Sequence, residues 1–155
     1  MMYRCLIANR GEIAVRIIRA CRELNIETVA IYAKGDENSL HVSLADQAIC
    51  IGEANPLDSY LNIDRIISAA KVTESNVIHP GYGFLSESTN FAKAVEDNHI
   101  HFIGPSKTTM EMMGDKITAR QTVKQAGVPV IPGSNDAVQS VDEIKLLSKE
   151  IGFPV

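Results

Sequence analysis

Three short stretches hold the residue types from which a binding site could be built. "HPGYGFLSE" (79–87) sets a histidine, a proline and two glycines around Tyr82, between an apolar run and a polar helical pattern. Gly81 and Gly83 permit positive φ and the close approach of another group. The stretch lacks the Lys-Ser/Thr ending of a phosphate-binding P-loop. It reads either as a turn alone or as a shaped wall presenting Tyr82, with Glu87 behind it. "MGDK" (113–116) puts Lys116 in the first turn of an expected helix. A cation beside the positive helix end costs roughly 0.3–1 kcal/mol. An anion such as phosphate, shared by lysine and helix end, would reverse that cost; a solvated lysine is the alternative. "ANRGEIAVR" (8–16) has one glycine, Gly11, where a dinucleotide fingerprint needs three, so this turn is not the usual NAD site. Asn9 is expected to cap the helix that follows.

That helix carries Glu12, Arg16, Arg19 and Glu23 at i, i+4, i+7 and i+11, a narrow charged stripe. Ile13, Ile17, Ala20, Cys21 and Leu24, with Ala14 and Ile18, cover most of the rest, which predicts a largely buried helix. The stripe faces either solvent or a second copy, where paired Arg and Glu set register. His99 and His101 have strand spacing with no local carboxylate or thiol, and no Ser or Cys nucleophile motif is present. No metal site and no complete active site is expected.

The elements that must position these residues alternate between strand and helix. "YRCLIA" (3–8), "ETVAIY" (27–32), "QAICIG" (47–52), "NVIH" (76–79) and "IHFIG" (100–104) are short apolar strands. Between them lie the first helix, a second with Ile63, Ile66, Ile67 and Ala70, and a third with Phe91, Ala94 and Val95. This pattern predicts an α/β fold: an open parallel sheet with helices on both faces. The 79–87 loop then sits beyond the carboxyl end of a strand, where such sheets bind ligands. Pro80 ends the strand at His79, and Ser86 is expected to cap the next helix with Glu87 in its first turn. After Gly104-Pro105 the pattern turns helical. Asp115 caps a helix with Ala119, Val123 and Ala126 on one face. Ser140 and Glu143 have capping-box spacing before Ile144, Leu147 and Ile151. "QAGVPV" and "EIGFPV" end both helices with Gly and then Pro. "FPV" (153–155) reads as the opening of a further strand, so the chain is expected to be a fragment of something longer.

Composition bounds these readings. The 155 residues, 45% apolar and 22% charged, suit one domain with a core and are marginal for two. No apolar run spans a bilayer and the N-terminus lacks a signal peptide's apolar region, so a cytoplasmic protein without a membrane partner is expected. A net charge of −4 and the lack of Trp argue against a nucleic-acid partner. Cys5, Cys21 and Cys50 are odd in number and widely spaced, and read as small buried hydrophobes.

With "IANRGEIAVRIIRACRELNI", "HPGYGFLSE", "FIGPS" and "MGDK" in this order, the chain resembles biotin carboxylase over all 155 residues. "ADQAICIG" and "SYLNI" look closest to the bacterial biotin carboxylase subunit of acetyl-CoA carboxylase; pyruvate, propionyl-CoA and related carboxylases share the domain. The resemblance implies a Rossmann-like pre-ATP-grasp domain over 1–114 and the truncated beginning of an ATP-grasp domain over 115–155. It implies ATP with Mg²⁺ or Mn²⁺, bicarbonate and biotin on a carrier protein as reactants, in fatty acid synthesis. It implies a biotin carboxyl carrier protein and carboxyltransferase subunits as partners, and a homodimer. Lys116 matches the ATP-contacting lysine. Tyr82 and Gly83 match the loop facing the biotin and bicarbonate pocket, and Glu87 a polar position near it. Arg16, Arg19 and Glu23 match the dimer-contact helix. Ser88 departs from the asparagine usual in the family's "LSEN". A non-catalytic dimerisation module, or a nucleotide-binding domain of another ligase, are the competing readings.

The family's glycine-rich phosphate loop, metal-binding glutamates and bicarbonate- and biotin-binding arginines do not occur in these 155 residues. Purified residues 1–155 are therefore expected to release no ADP from ATP when bicarbonate and biotin are supplied. Bicarbonate- and biotin-dependent ADP release by this chain alone would refute that.

Overall fold

The structure is a computed structural model and describes residues 3–134 and 138–153. Residues 1–107 and 108–155 form two compact units. In the first, five parallel strands run β1 (Arg4–Ile7), β2 (Glu27–Ala33), β3 (Gln47–Gly52), β4 (Val77–His79) and β5 (His101–Phe102), in the spatial order β3-β2-β1-β4-β5. The helices between them are α1 (Gly11–Glu23), α2 (Leu40–Leu44), α3 (Ile63–Val72) and α4 (Thr89–Asp97). α1 packs beside α2, and α3 beside α4. Right-handed crossovers place the two pairs on opposite faces of the sheet.

Burial follows from that layering. Leu6, Ile7, Val29, Ile31 and Ile78 lie on the three central strands and are fully buried, as strands covered on both faces must be. Cys5 and Ile7 of β1 and Val77 of β4 pack with Ala14, Ile17, Ile18 and Cys21 of α1. Phe91 of α4 meets Phe102 of β5 edge to face, centroids 5.9 Å apart. The expectation of a largely buried α1 holds for one face only. Ala14, Val15, Ile17, Ile18 and Cys21 are buried, whereas Ala20 and Leu24 are exposed, because the helix covers the sheet from a single side. Cys50 also differs from expectation: it is exposed, because β3 is an edge strand with no neighbour beyond it among the described residues.

Two capping expectations are corrected. Asn9 does not cap α1; Arg10 occupies that position and gives no side-chain cap. Ser88, not Ser86, caps α4, accepting from Phe91 N–H at 3.2 Å, and the helix starts at Thr89, so Glu87 precedes its first turn. Two short elements are absent from the sequence reading, α2 and a 3₁₀ turn (Pro56–Asp58), both too brief to show a helical period.

The carboxyl ends of α1, α3 and α4 share one geometry. After α1, Ile26 N–H donates to Cys21 C=O and Asn25 N–H to Arg22 C=O. The same pair of bonds closes α3 through Ser75 and Glu74, and α4 through Ile100 and His99. This is the Schellman arrangement, which sets the residue after the cap in the left-handed region. Asn25, Glu74 and His99 accordingly have φ of 54°, 54° and 58° without being glycine.

The second unit contains α5 (Lys107–Gly114, which begins at the division), α6 (Lys116–Gln125) and α7 (Val141–Ile151). Asp115 caps α6 by accepting from Thr118 N–H at 2.7 Å. Ser140 caps α7 by accepting from Glu143 N–H at 3.2 Å. Glu143 returns a bond to Gln139 N–H at 2.9 Å, one residue earlier than a capping box requires. Ala119, Val123 and Ala126 are not buried, and among the residues of α7 only Ser148 is. The expected "FPV" strand falls on Phe153, which is exposed in a bend, and on Pro154 and Val155, which lie outside the described residues.

His99 is exposed and holds a left-handed conformation that costs an L-residue about 1–2 kcal/mol. His99→Gly is expected to raise stability by about 1 kcal/mol, read as a higher urea midpoint at unchanged slope. A lower midpoint would contradict the conformation assigned to this residue.

Candidate functional site

The strand order reverses between β1 and β4, so the loops leaving their carboxyl ends diverge and leave a crevice. Ala8 N–H donates to His79 C=O at 2.9 Å, extending the β1–β4 ladder up to that point. Beyond it the two loops are joined by Asn9. Its Nδ2 donates to Pro80 C=O at 2.8 Å and to Tyr82 C=O at 2.7 Å, while its Oδ1 accepts from Arg10 N–H at 2.9 Å. Gly81 lies between the two bound carbonyls at φ 67°, and a Cβ there would stand 2.8 Å from Asn9 Nδ2. The Gly81 N–H donates to His79 Nδ1 at 3.0 Å. That bond requires an unprotonated Nδ1, and burial lowers the His79 pKa in the direction that keeps it so.

A second group of side chains holds the far end of the loop. Phe84 stacks on Tyr60, ring centroids 5.2 Å apart and 13° from parallel. The Arg10 guanidinium lies 5.1 Å from the Tyr60 ring centre and 5.7 Å from that of Phe84. Arg10 Nη1 also reaches Asp36 Oδ2 at 3.1 Å, and the Tyr60 hydroxyl donates to the same oxygen at 2.6 Å. Ala33 N–H, at the end of β2, donates to the Tyr60 hydroxyl at 3.0 Å. Burial works against the Asp36 carboxylate, but the bonds from Tyr60 and Arg10 outweigh it and hold the pKa below the ordinary value. Tyr60 is pushed up, first by burial and then by the Asp36 carboxylate it donates to. His41 on α2 is 1% exposed; its Nε2 lies 3.2 Å from Ile31 C=O, and its Nδ1 is buried with no hydrogen-bond partner among the described residues.

These loops line a groove of about 410 Å³ formed by Asn9, Arg10, Gly11, Glu12, Ile13, Tyr82, Gly83 and Phe84. Tyr82 is 56% exposed and its hydroxyl donates to Glu12 Oε1, which raises the Tyr82 pKa. Tyr82 and Gly83 are thus brought together against the first turn of α1, whose N–H groups have no side-chain cap. Glu87 is exposed and is not among the groove's lining residues. Arg16, Arg19 and Glu23 are exposed on α1, and the two arginines line a separate groove with Leu40 and His41 of α2. Lys116 is exposed in the second unit at the first position of α6, directly after the Asp115 cap. Among the described residues no group of three His, Cys, Asp or Glu could hold a metal ion. Sequence reasoning missed Arg10, Asp36, Tyr60 and Phe84 as a unit. The only local signal was the pairing of a charged residue with aromatics around glycine turns, and it does not say which of them meet.

Residues 1–110 match the family described as biotin carboxylase, N-terminal domain, and residues 115–155 match the ATP-binding domain of the carbamoyl-phosphate synthase L chain. Biotin carboxylase 1 of Bacillus subtilis is 55% identical over 155 residues, all of this chain and 34% of that protein. The biotin carboxylase domain dimer of Hydrogenobacter thermophilus 2-oxoglutarate carboxylase, solved with MgADP, ADP and bicarbonate, is 50% identical with a TM-score of 0.89; the match covers 99% of this chain and 34% of that one. The biotin carboxylase subunit of a pyruvate carboxylase is 53% identical with a TM-score of 0.84, over the same shares. The chain spans about a third of the length of these relatives.

Burial lowers the pKa of both His41 and His79; at His41 the Ile31 carbonyl and Asp36 oppose burial and Arg10 adds to it. In the unfolded chain both titrate near ~6.5. As pH falls below that value the unfolded state binds protons that the native state does not, so stability is full above it and is lost toward the lower folded pKa values. The depressed carboxylates Asp36 and Asp46 lose their contribution only below about pH 4. The thermal midpoint of the chain is therefore expected to fall between pH 7.5 and 5, with a shallower fall in His41→Gln. A flat wild-type profile over that range would contradict the buried neutral histidines.

Proposed function

The chain belongs to the family of biotin carboxylase N-terminal domains, and from that membership we propose that it forms the first third of an ATP- and bicarbonate-dependent ligase that carboxylates biotin on a carrier protein. In that reaction ATP activates bicarbonate as carboxyphosphate, and the carboxyl group passes to the ureido nitrogen of biotin. The observation that carries the reading is the crevice at the strand-order reversal, where Tyr82 and Gly83 line a groove beside the uncapped start of α1. A parallel sheet offers ligands this place. Tyr82 and Gly83 form a wall of the biotin and bicarbonate pocket, and Glu87 contributes at its periphery. Lys116 contacts ATP. Its exposed ammonium, at the first residue of α6 directly after the Asp115 cap, supports this as a charge partner for phosphate. Among the described residues no cluster suits a divalent cation, so the Mg²⁺ that accompanies ATP is not assigned to them. Arg16, Arg19 and Glu23, exposed on one face of α1, form the contact of a homodimer. The functional division falls at 1–114 and 115–155.

The parent we favour is the cytoplasmic acetyl-CoA carboxylase of fatty acid synthesis, with a biotin carboxyl carrier protein and carboxyltransferase subunits as partners. "ADQAICIG" and "SYLNI" support that choice. Relatives named for 2-oxoglutarate and pyruvate carboxylation are as similar, so the acceptor is a matter for direct assay.

In the complete polypeptide carrying these residues, ADP release is expected to require both bicarbonate and biotin. Lys116→Gln is expected to raise the KM for ATP at least about tenfold, since a hydrogen bond to a charged group is worth about 1.5–3 kcal/mol. Coupled assays with carrier and carboxyltransferase distinguish acetyl-CoA from pyruvate as acceptor. ATP cleavage indifferent to biotin would instead identify a different ligase.

A further inference from the structure

We propose that Asn9 is a positioning residue: through one buried carboxamide it sets the path of loop 79–84, and with it the place of Tyr82 and Gly83. Asn9 is 3% exposed and stands directly beyond the fully buried end of β1. Both hydrogens of Nδ2 are used, one on Pro80 C=O and one on Tyr82 C=O, and Oδ1 is fixed by Arg10 N–H. This triple use leaves one orientation of the amide, because the flipped form would set Oδ1 against two carbonyls. Two carbonyls separated by one residue converge on one nitrogen only if the chain between them doubles back. Gly81 allows that with its positive φ and the absence of a Cβ beside Nδ2. Tyr82 is then held at both ends, its carbonyl by Asn9 and its hydroxyl by Glu12 of α1. Aspartate at position 9 lacks the donors, and serine or threonine offers one where two are needed. The inference rests on the proposal that Tyr82 and Gly83 face biotin and bicarbonate.

The test uses the complete polypeptide with two variants that break the clamp from opposite sides, Asn9→Asp and Gly81→Ala. In both, exchange of the residue-81 amide is expected to accelerate at least about tenfold while the buried amides of β1 and β4 keep their protection. In both, kcat/KM for biotin and bicarbonate is expected to fall at least about tenfold while the KM for ATP changes less than about twofold, the split expected when only one part of a substrate site is displaced. Faster exchange of the residue-81 amide with unchanged biotin and bicarbonate kinetics would overturn the role. So would losses in which the ATP constant and strand protection fall together, since Asn9 would then be holding the domain rather than the loop. A wild-type polypeptide without biotin-dependent ADP release would sink the functional reading itself, an outcome distinct from active wild type with indifferent variants.

Discussion

A parallel sheet whose strand order reverses must send two neighbouring loops in different directions, and something has to hold them at a fixed separation. In this chain the holder is the buried carboxamide of Asn9, which reaches across from the end of β1 to two carbonyls beyond β4. Its energy is ordinary: a net hydrogen bond contributes about 0.5–1.5 kcal/mol. Its consequence comes from placement. Left without Asn9, the Pro80 carbonyl would lose this buried partner where the β1–β4 ladder has ended, and a buried polar group without a partner costs more than a bond gains. The loop's glycines, the proline that stops β4 and the histidine that receives Gly81 N–H all fit this one geometry.

The second constraint is the anchoring of Arg10. A guanidinium next to two aromatic rings and a carboxylate satisfies charge, stacking and hydrogen bonding at once. Tyr60 ties this group into the sheet, since its hydroxyl bridges Ala33 N–H of β2 and the Asp36 carboxylate. Asn9 and Arg10 are adjacent in sequence but serve opposite ends of the same loop, one binding its carbonyls and the other lying against Phe84. The result is a groove lining whose side chains are stacked on and bonded to one another. Tyr82 is exposed on that lining and bonded to Glu12.

Positive φ recurs at the ends of three helices in the first unit. Three helices place Asn, Glu and His in the left-handed region where glycine would be easier. The Schellman bonds and the packing of the next apolar residue, such as Ile100, compensate for that local cost. The expectation that glycine marks helix ends succeeds at Gly127 and Gly152 in the second unit. It has no purchase on α1, α3 and α4, where tertiary packing overrides propensity.

The alternation of strands and helices was legible in the sequence because both periods are local properties of the chain. The five strand segments, the buried face of α3, and the position of the Tyr82–Gly83 loop beyond a strand end all follow from it, whereas α1 is buried on one face only. The resemblance to biotin carboxylase was equally legible, since it rests on long motifs in order. Other features were not readable locally. Ser86 and Ser88 have the same capping chemistry, and the start of the helix decides between them. Cys50 has the same neighbours as a core cysteine, and only the strand order makes it an edge residue. Asn9 looked like a cap because its best-known local role is capping; its partners lie 71 and 73 residues away. The sequence by itself determined which segments would form strands and helices and which side chains were available. The tertiary structure alone decided which of those side chains meet, because a hydrogen bond between loops needs two strand ends side by side, and that adjacency is a property of sheet order rather than of any stretch of chain.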